Sequence, residues 1–191
     1  MDAIEKDLLL KIADLHGVPE GAYNIRENGQ SAGRQSTENI EIVPKTDGMQ
    51  GIDIFIKPGT KNESVHIPVI ISKAGWQEMV YNDFYIGEDA DVVIVAGCGI
   101  HNCGGVELTA RHDGIHNKKI RKNAKVKYIE RHYGEGDGVG GRNMNPTTVI
   151  NIAEGGYMEM ETTQISGVDS TDRKTSAKLS SNATLVIKEK L

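Results

Sequence analysis

One template occurs four times between residue 86 and residue 187: an apolar residue, three residues, Ala or Gly, one residue, apolar, one residue, apolar. The copies are Ile86/Ala90/Val92/Ile94, Ile120/Ala124/Val126/Tyr128, Ile152/Gly156/Met158/Met160 and Leu179/Ala183/Leu185/Ile187. Their first positions lie 34, 32 and 27 residues apart. A polar pair precedes the small residue in three of them: Glu88-Asp89, Lys122-Asn123 and Ser181-Asn182. Each copy reads as a short strand, a tight polar corner and a second strand that turns the same core inward. The small residue marks the bend, where a larger side chain would not fit. Such units bury a continuous core only by stacking, which produces a β-solenoid. Four unrelated strands of an antiparallel sandwich are the competing arrangement, and the fourfold recurrence favours the solenoid. The composition agrees: 22 glycines in 191 residues and only 5% aromatics imply many turns and a core of Val, Ile, Leu and Ala.

The rest of the chain is read around that core. Residues 2–15 predict a helix, with Asp2 and Glu5 as a capping box and Ile4, Leu8, Ile12 and Leu15 on one face. Gly17 and Pro19 end it. Residues 27–39 are small and polar and read as a mobile loop. Ile40 and Ile42, then Ile52, Ile54 and Ile56, alternate with period two, as short strands do. The expected plan is an N-terminal helix over 1–20, a polar loop with entry strands over 21–50 and the solenoid over 51–191. Solenoids need capped ends. The helix and its loop are the expected N-terminal cap. No cap is legible after the fourth copy, so the chain is expected to be shorter than its natural form or covered there by another subunit.

Charge and hydropathy narrow the function. A net charge of -5 offers no basic excess for phosphates, which argues against nucleic acid as the main partner. The longest near-continuous apolar run, Val92 to Ile100, is far short of a membrane span. The acidic, amphipathic N-terminus lacks the pattern of a signal peptide. A cytoplasmic location is expected, with Cys98 and Cys103 as reduced thiols. The glycosylation-type sequences at Asn62 and Asn182 then carry no meaning.

The segment from Ala96 to Gly105 is the most unusual. It places Cys98, His101 and Cys103 within six residues, among glycines that free the backbone to wrap. His112 and His116 follow. The spacing resembles a zinc finger on paper, but Gly114 between the histidines argues against the helix a finger needs. On a flat strand the two histidines would stand about 13 Å apart, so one metal would require a bend at Asp113-Gly114. Thiolate with imidazole suits iron, zinc or an iron–sulfur fragment. The alternative is that the cysteines pack in a turn and the histidines lie at the surface. On the next strand Val126, Tyr128, Glu130 and His132 share a face, which carries Glu130 and His132 towards the core edge, where buried charges need a partner. A surface ion pair is the plainer reading. Gly136 to Gly141 matches GxGxxG literally, but no helix follows, and it reads as a long turn. Val168 to Arg173 reads as a polar corner.

Four stretches together, GCGIHN from Gly97, RHDGIH from Arg111, VKYIERHYGEG from Val126 and GVDSTDR from Gly167, resemble the SufB/SufD family of iron–sulfur cluster assembly scaffolds. The resemblance covers residues from about Tyr23 to Leu191 and is nearest to the shorter members. It implies a right-handed parallel β-helix, pairing with itself or a homologous subunit, a SufC-type ABC ATPase as partner, and sulfur from a cysteine desulfurase or sulfur carrier. The activity implied is that of a scaffold holding a transient iron–sulfur cluster, or iron alone, and not of an enzyme. Family members continue into a C-terminal region that binds the ATPase, so a truncated form without that region is expected here. The resemblance carries no ligand roles onto Cys98 or Cys103. The donors expected from residue chemistry are Cys98, His101 and Cys103 for the cluster, with His112, His116, Glu130 and His132 as further metal ligands. Two other classes compete. One is a β-solenoid enzyme, a zinc hydratase or acyltransferase type using His101, His112 and His116. The other is a structural partner without a cluster site of its own.

Overall fold

A computed structural model describes residues 1–104 and 107–191. Among them, helix α1 (Ala3–Ala13) is followed by thirteen strands. These are β1 (Ala22–Glu27), β2 (Gln30–Gln35), β3 (Ile40–Pro44), β4 (Gly51–Ile56), β5 (Lys61–Ile71), β6 (Gln77–Ile86), β7 (Asp91–His101), β8 (Ala110–Ile120), β9 (Lys125–Glu135), β10 (Arg142–Ile152), β11 (Tyr157–Ser166), β12 (Lys174–Leu179) and β13 (Thr184–Lys190). They form two sheets, ordered β13-β11-β9-β7-β5-β1-β2 and β12-β10-β8-β6-β4-β3. From β4 onward successive strands alternate between the sheets, and every neighbouring pair is parallel. This is the parallel β-solenoid that the repeat predicts.

The corners explain the template. Residues 57–60, 87–90, 121–124, 153–156 and 180–183 each join a strand of one sheet to a strand of the other. In each, the fourth residue's N–H donates to the carbonyl of the first. The third residue is left-handed in all five: Gly59, Asp89, Asn123, Gly155 and Asn182. Only Gly, Asn and Asp take that conformation at little cost, which is why the corner sequences look polar. The fourth residue, Thr60, Ala90, Ala124, Gly156 or Ala183, is the small residue of the template. The first corner escaped the sequence pattern for two reasons. Thr60 replaces Ala or Gly, and a bulge at Asn62 shifts the following strand by one residue, so that Glu63 pairs with Val92 and Val65 with Ile94.

The N-terminal part departs from expectation. The segment read as a mobile loop contains β2, paired antiparallel with β1. Asn28 and Gly29 at its turn both have positive φ, the conformation that an Asn-Gly hairpin supplies. This hairpin and β3, antiparallel to β4, finish the first coil. The helix is therefore not the end cap. It has the capping box expected of Asp2 and Glu5, stops earlier at a left-handed Asp14, and lies along the outer face of β5, β7 and β9. It buries Leu8, Leu9 and Ile12, while Ile4 is exposed. Each buried side chain contributes about 1.5–3 kcal/mol. Gly97 and Gly99 make the seat: a Cβ at Gly97 would stand 3.1 Å from Ile12 Cβ, and one at Gly99 3.1 Å from Leu8 Cβ.

Candidate functional site

Pleat alternation sorts the inward side chains into columns that run from coil to coil. Nearest the corners, the columns are apolar: Ile56, Ile86, Ile120, Ile152 and Leu179 on one sheet, Val92, Val126, Met158 and Leu185 on the other. Away from the corners the lumen turns polar, and most of all in the coil built by β8 and β9. There His112, His116 and Lys118 face inward from β8, with Tyr128, Glu130 and His132 from β9. All six are buried. The coil before contributes Glu78, Asn82 and Cys98, and the coil after contributes Thr148 and Thr162.

Cys98, His112, His116, Glu130 and His132 line one interior cavity. Its free volume is about 20 Å³, room for a water molecule or a single ion. No bend is needed to bring the two β8 histidines together, because β8 is continuous and the side chains converge over Gly114. A Cβ on Gly114 would stand 2.7 Å from His116 Nε2 and 3.3 Å from His112 Nε2. The expectation that a straight strand separates them fails because it measured backbone positions and ignored the space that a missing side chain leaves.

The site is oriented from behind. Arg26 Nε donates to Glu78 Oε2 at 2.9 Å, and Glu78 Oε1 lies 3.1 Å from His112 Nδ1. A carboxylate at Nδ1 fixes the proton there and leaves Nε2 as a free donor atom towards the cavity, as in carboxylate–histidine metal sites. Burial works to raise the Glu78 carboxyl, but His112 and Arg26 outweigh it and hold it low. On the opposite wall, Tyr128 OH donates to Glu130 Oε1 at 3.2 Å, and Arg173 Nη1 donates to Glu130 Oε2 at 2.9 Å. Arg173 Nη2 also reaches His132 Nδ1 at 3.2 Å. Burial works to raise the Glu130 carboxyl, and His132, His116, Arg173 and Lys118 overcome it and bring it to about 2. Burial brings His116 down to about 3 and His132 to about 4, so both imidazoles are neutral and able to ligate at neutral pH. Among the described residues, no three His, Cys, Asp or Glu side chains stand ready to hold a metal ion.

Lys118 is the costliest member. Its ammonium position is fully buried, with no hydrogen-bond partner among the described residues, 3.9 Å from the Tyr128 ring centroid. Burial brings it down to about 7, against the nearby Glu130. The unfolded amine keeps its proton up to about 10.5, so this lysine opposes folding most below pH 7, and less as pH rises towards 10.5. Lys118→Met is expected to stabilise the protein at pH 7 by about 2 kcal/mol, with the gain shrinking between pH 7 and 10.5 in urea titrations. A destabilised variant would show that the amine has a partner.

The cysteine-bearing segment differs from the expectation. It does not wrap; it is the strand β7 as far as His101, and Gly105 lies outside the described residues. Alternation turns Cys98 inward and His101 outward, so Cys98, His101 and Cys103 do not form one donor group. Cys98 packs with Val69, Ile71, Ile100, Ala110 and Met144. Burial, with Glu78 and Glu130 adding to it, pushes its thiol well up. His101 Nδ1 bonds Glu135 Oε1 at 3.1 Å, in a cluster where Lys11 and Tyr133 fasten α1. Cys103 is half-buried in the connection after β7.

Two important residues were not picked out from the sequence. Arg173 lies in the segment read as a polar corner, which instead lays a guanidinium into the lumen. Its only available signal was an arginine just ahead of a strand. Asn102 is 2% exposed and ties three connections together. It accepts from Gly75 N and donates towards the carbonyls of Leu108, Gly140 and Gly141. The GxGxxG stretch is indeed a turn, packed on the Asn102 backbone. No helix among the described residues is long and apolar enough to cross a membrane.

No family model, curated protein or solved structure matches this chain.

Proposed function

We propose that this protein is a scaffold component of iron–sulfur cluster assembly, and that its interior chamber is where iron is held. One observation carries the reading: Cys98, His112, His116, Glu130 and His132 line a single cavity of one-ion size. Imidazole and carboxylate ligate iron exchangeably, which suits a cargo that must leave again. The chamber as it stands takes one ion and not an organic substrate, which weighs against the hydratase or acyltransferase reading. His101 also stands outside it, so the trio of histidines that reading uses is split. An assembled cluster is larger than the cavity, so the walls must move. A SufC-type ATPase is the proposed source of that motion, a cysteine desulfurase or sulfur carrier the source of sulfide, and a second copy or homologous subunit the pairing partner. The setting proposed is the cytoplasm, where both thiols stay reduced.

The test is anaerobic reconstitution with ferrous iron, a cysteine desulfurase and cysteine, followed by iron, acid-labile sulfide and visible absorption. The wild type is expected to retain iron and sulfide. Changing His112 and His132 together to Gln is expected to weaken iron retention about tenfold or more. A wild type that retains neither defeats the reading. Cys98 also supports a second reading, a structural subunit, because its thiol is packed among apolar side chains and held protonated. Iron retention unchanged in Cys98→Ala would make this cysteine a packing residue.

A further inference from the structure

The Glu130–His132 end of the chamber already holds a cation, and it belongs to the protein. Arg173 enters from the segment between β11 and β12 and places one guanidinium nitrogen 2.9 Å from Glu130 Oε2 and another 3.2 Å from His132 Nδ1. Its side chain is 11% exposed, and among the described residues its Nε has no hydrogen-bond partner, with Glu189 3.8 Å away. An arginine held for stability alone would be expected to use its whole fork; this one leaves its Nε with a long ion-pair contact only, while its two terminal nitrogens serve the would-be ligands.

The segment that delivers Arg173 is fastened mostly elsewhere. Thr171 Oγ1 donates to Met144 O, Asp172 N donates to Asn145 Oδ1, and Asp169 pairs with Arg142. Met144 and Asn145 are themselves on the chamber wall, and β12 is held further by its parallel ladder to β10. The Arg173 guanidinium adds a charged tie from this segment to Glu130, so its departure would weaken the hold on the segment while the other contacts persist.

We propose that Arg173 is a built-in stand-in for a divalent metal, occupying the Glu130–His132 slot until an ion displaces it, so that loading loosens the 167–179 segment. A metal near Glu130 and the guanidinium compete for the same carboxylate oxygen and repel each other, so the two states exclude one another. Empty, the slot keeps its charge balanced and its walls closed. Loaded, it loosens the segment beyond it, which is how a partner could distinguish the two states. This rests on the chamber being a metal site, but not on sulfide being assembled there.

The test uses Co²⁺ as probe, because its visible absorption reports ligation directly. Arg173→Gln is expected to bind Co²⁺ at least about tenfold tighter than the wild type, the factor carried by losing two charge-assisted hydrogen bonds that compete for the slot. Adding Glu130→Gln is expected to abolish the gain. Equal affinity in wild type and Arg173→Gln overturns the proposal. A second measurement needs no variant: hydrogen exchange of residues 167–179 in the wild type is expected to speed up at saturating Co²⁺. Unchanged or slower exchange also overturns it. The two readings fail separately. Tighter Co²⁺ binding without sulfide retention keeps the arginine switch and defeats the scaffold. Sulfide retention with an indifferent Arg173 does the reverse.

Discussion

Glu130→Ala is expected to cost about 3–5 kcal/mol of folding stability, read as a lowered urea midpoint at pH 7. The carboxylate is 3% exposed and serves Tyr128 and Arg173 at once. Removing it strands a buried guanidinium and a buried hydroxyl in a lumen that also holds Lys118. That loss is far greater than for a surface ion pair, because water cannot replace the missing partner. The pH dependence has a definite sign. The folded carboxyl is lowered from 4.5 to about 2, so its contribution is fully present above pH 4.5 and is lost as pH falls towards 2. The gap between wild type and Glu130→Ala should therefore close over that window. A gap below about 1 kcal/mol at pH 7 would mean that Arg173 does not depend on this carboxylate.

Gly134→Ala is expected to destabilise by about 3 kcal/mol or more, for a different reason. A Cβ there would overlap the Gly167 carbonyl oxygen and stand 2.6 Å from its carbon. A Cβ on Gly167, which has φ +71, would overlap the Gly134 carbonyl in the same way. Backbone faces backbone, so no side chain can swing aside. The clash would push the 167–173 segment outward and draw Arg173 away from Glu130. Loss of stability should thus come with altered Co²⁺ binding, measurable on whatever fraction stays folded at low temperature. A variant within about 1 kcal/mol of wild type would show that the two connections can separate freely.

The solenoid was legible because four corners share one geometry, and a left-handed third residue leaves a polar mark in the sequence. The first corner was hidden by the Asn62 bulge, since one inserted residue moves every later side chain out of the template. The β1–β2 hairpin was missed although Asn28-Gly29 announced it, because the polar strands around that turn resemble a loop. For the site, alternation alone brought Glu130 and His132 to the core edge. The same rule applied to β7 would have parted Cys98 from His101. Proximity in sequence suggests the opposite, and Gly97 and Gly99, which read as part of a wrapping loop, are the seat of α1. Arg173 was beyond reach, because it meets its partners only when coils 41 and 43 residues apart in sequence stack.

The columns have a consequence for how such a chamber arises. Position in the lumen is given by two coordinates, the coil and the distance from its corner. His116 shares its column with Ile52, Asn82, Thr148 and Thr175, and Glu130 shares its own with Ile67, Ala96 and Thr162. Core and donor set are thus the same lattice with different occupants. A handful of exchanges along two columns would translate the chamber by one rung and leave the scaffolding untouched, so in a wall of this kind location is cheap to change and chemistry is portable.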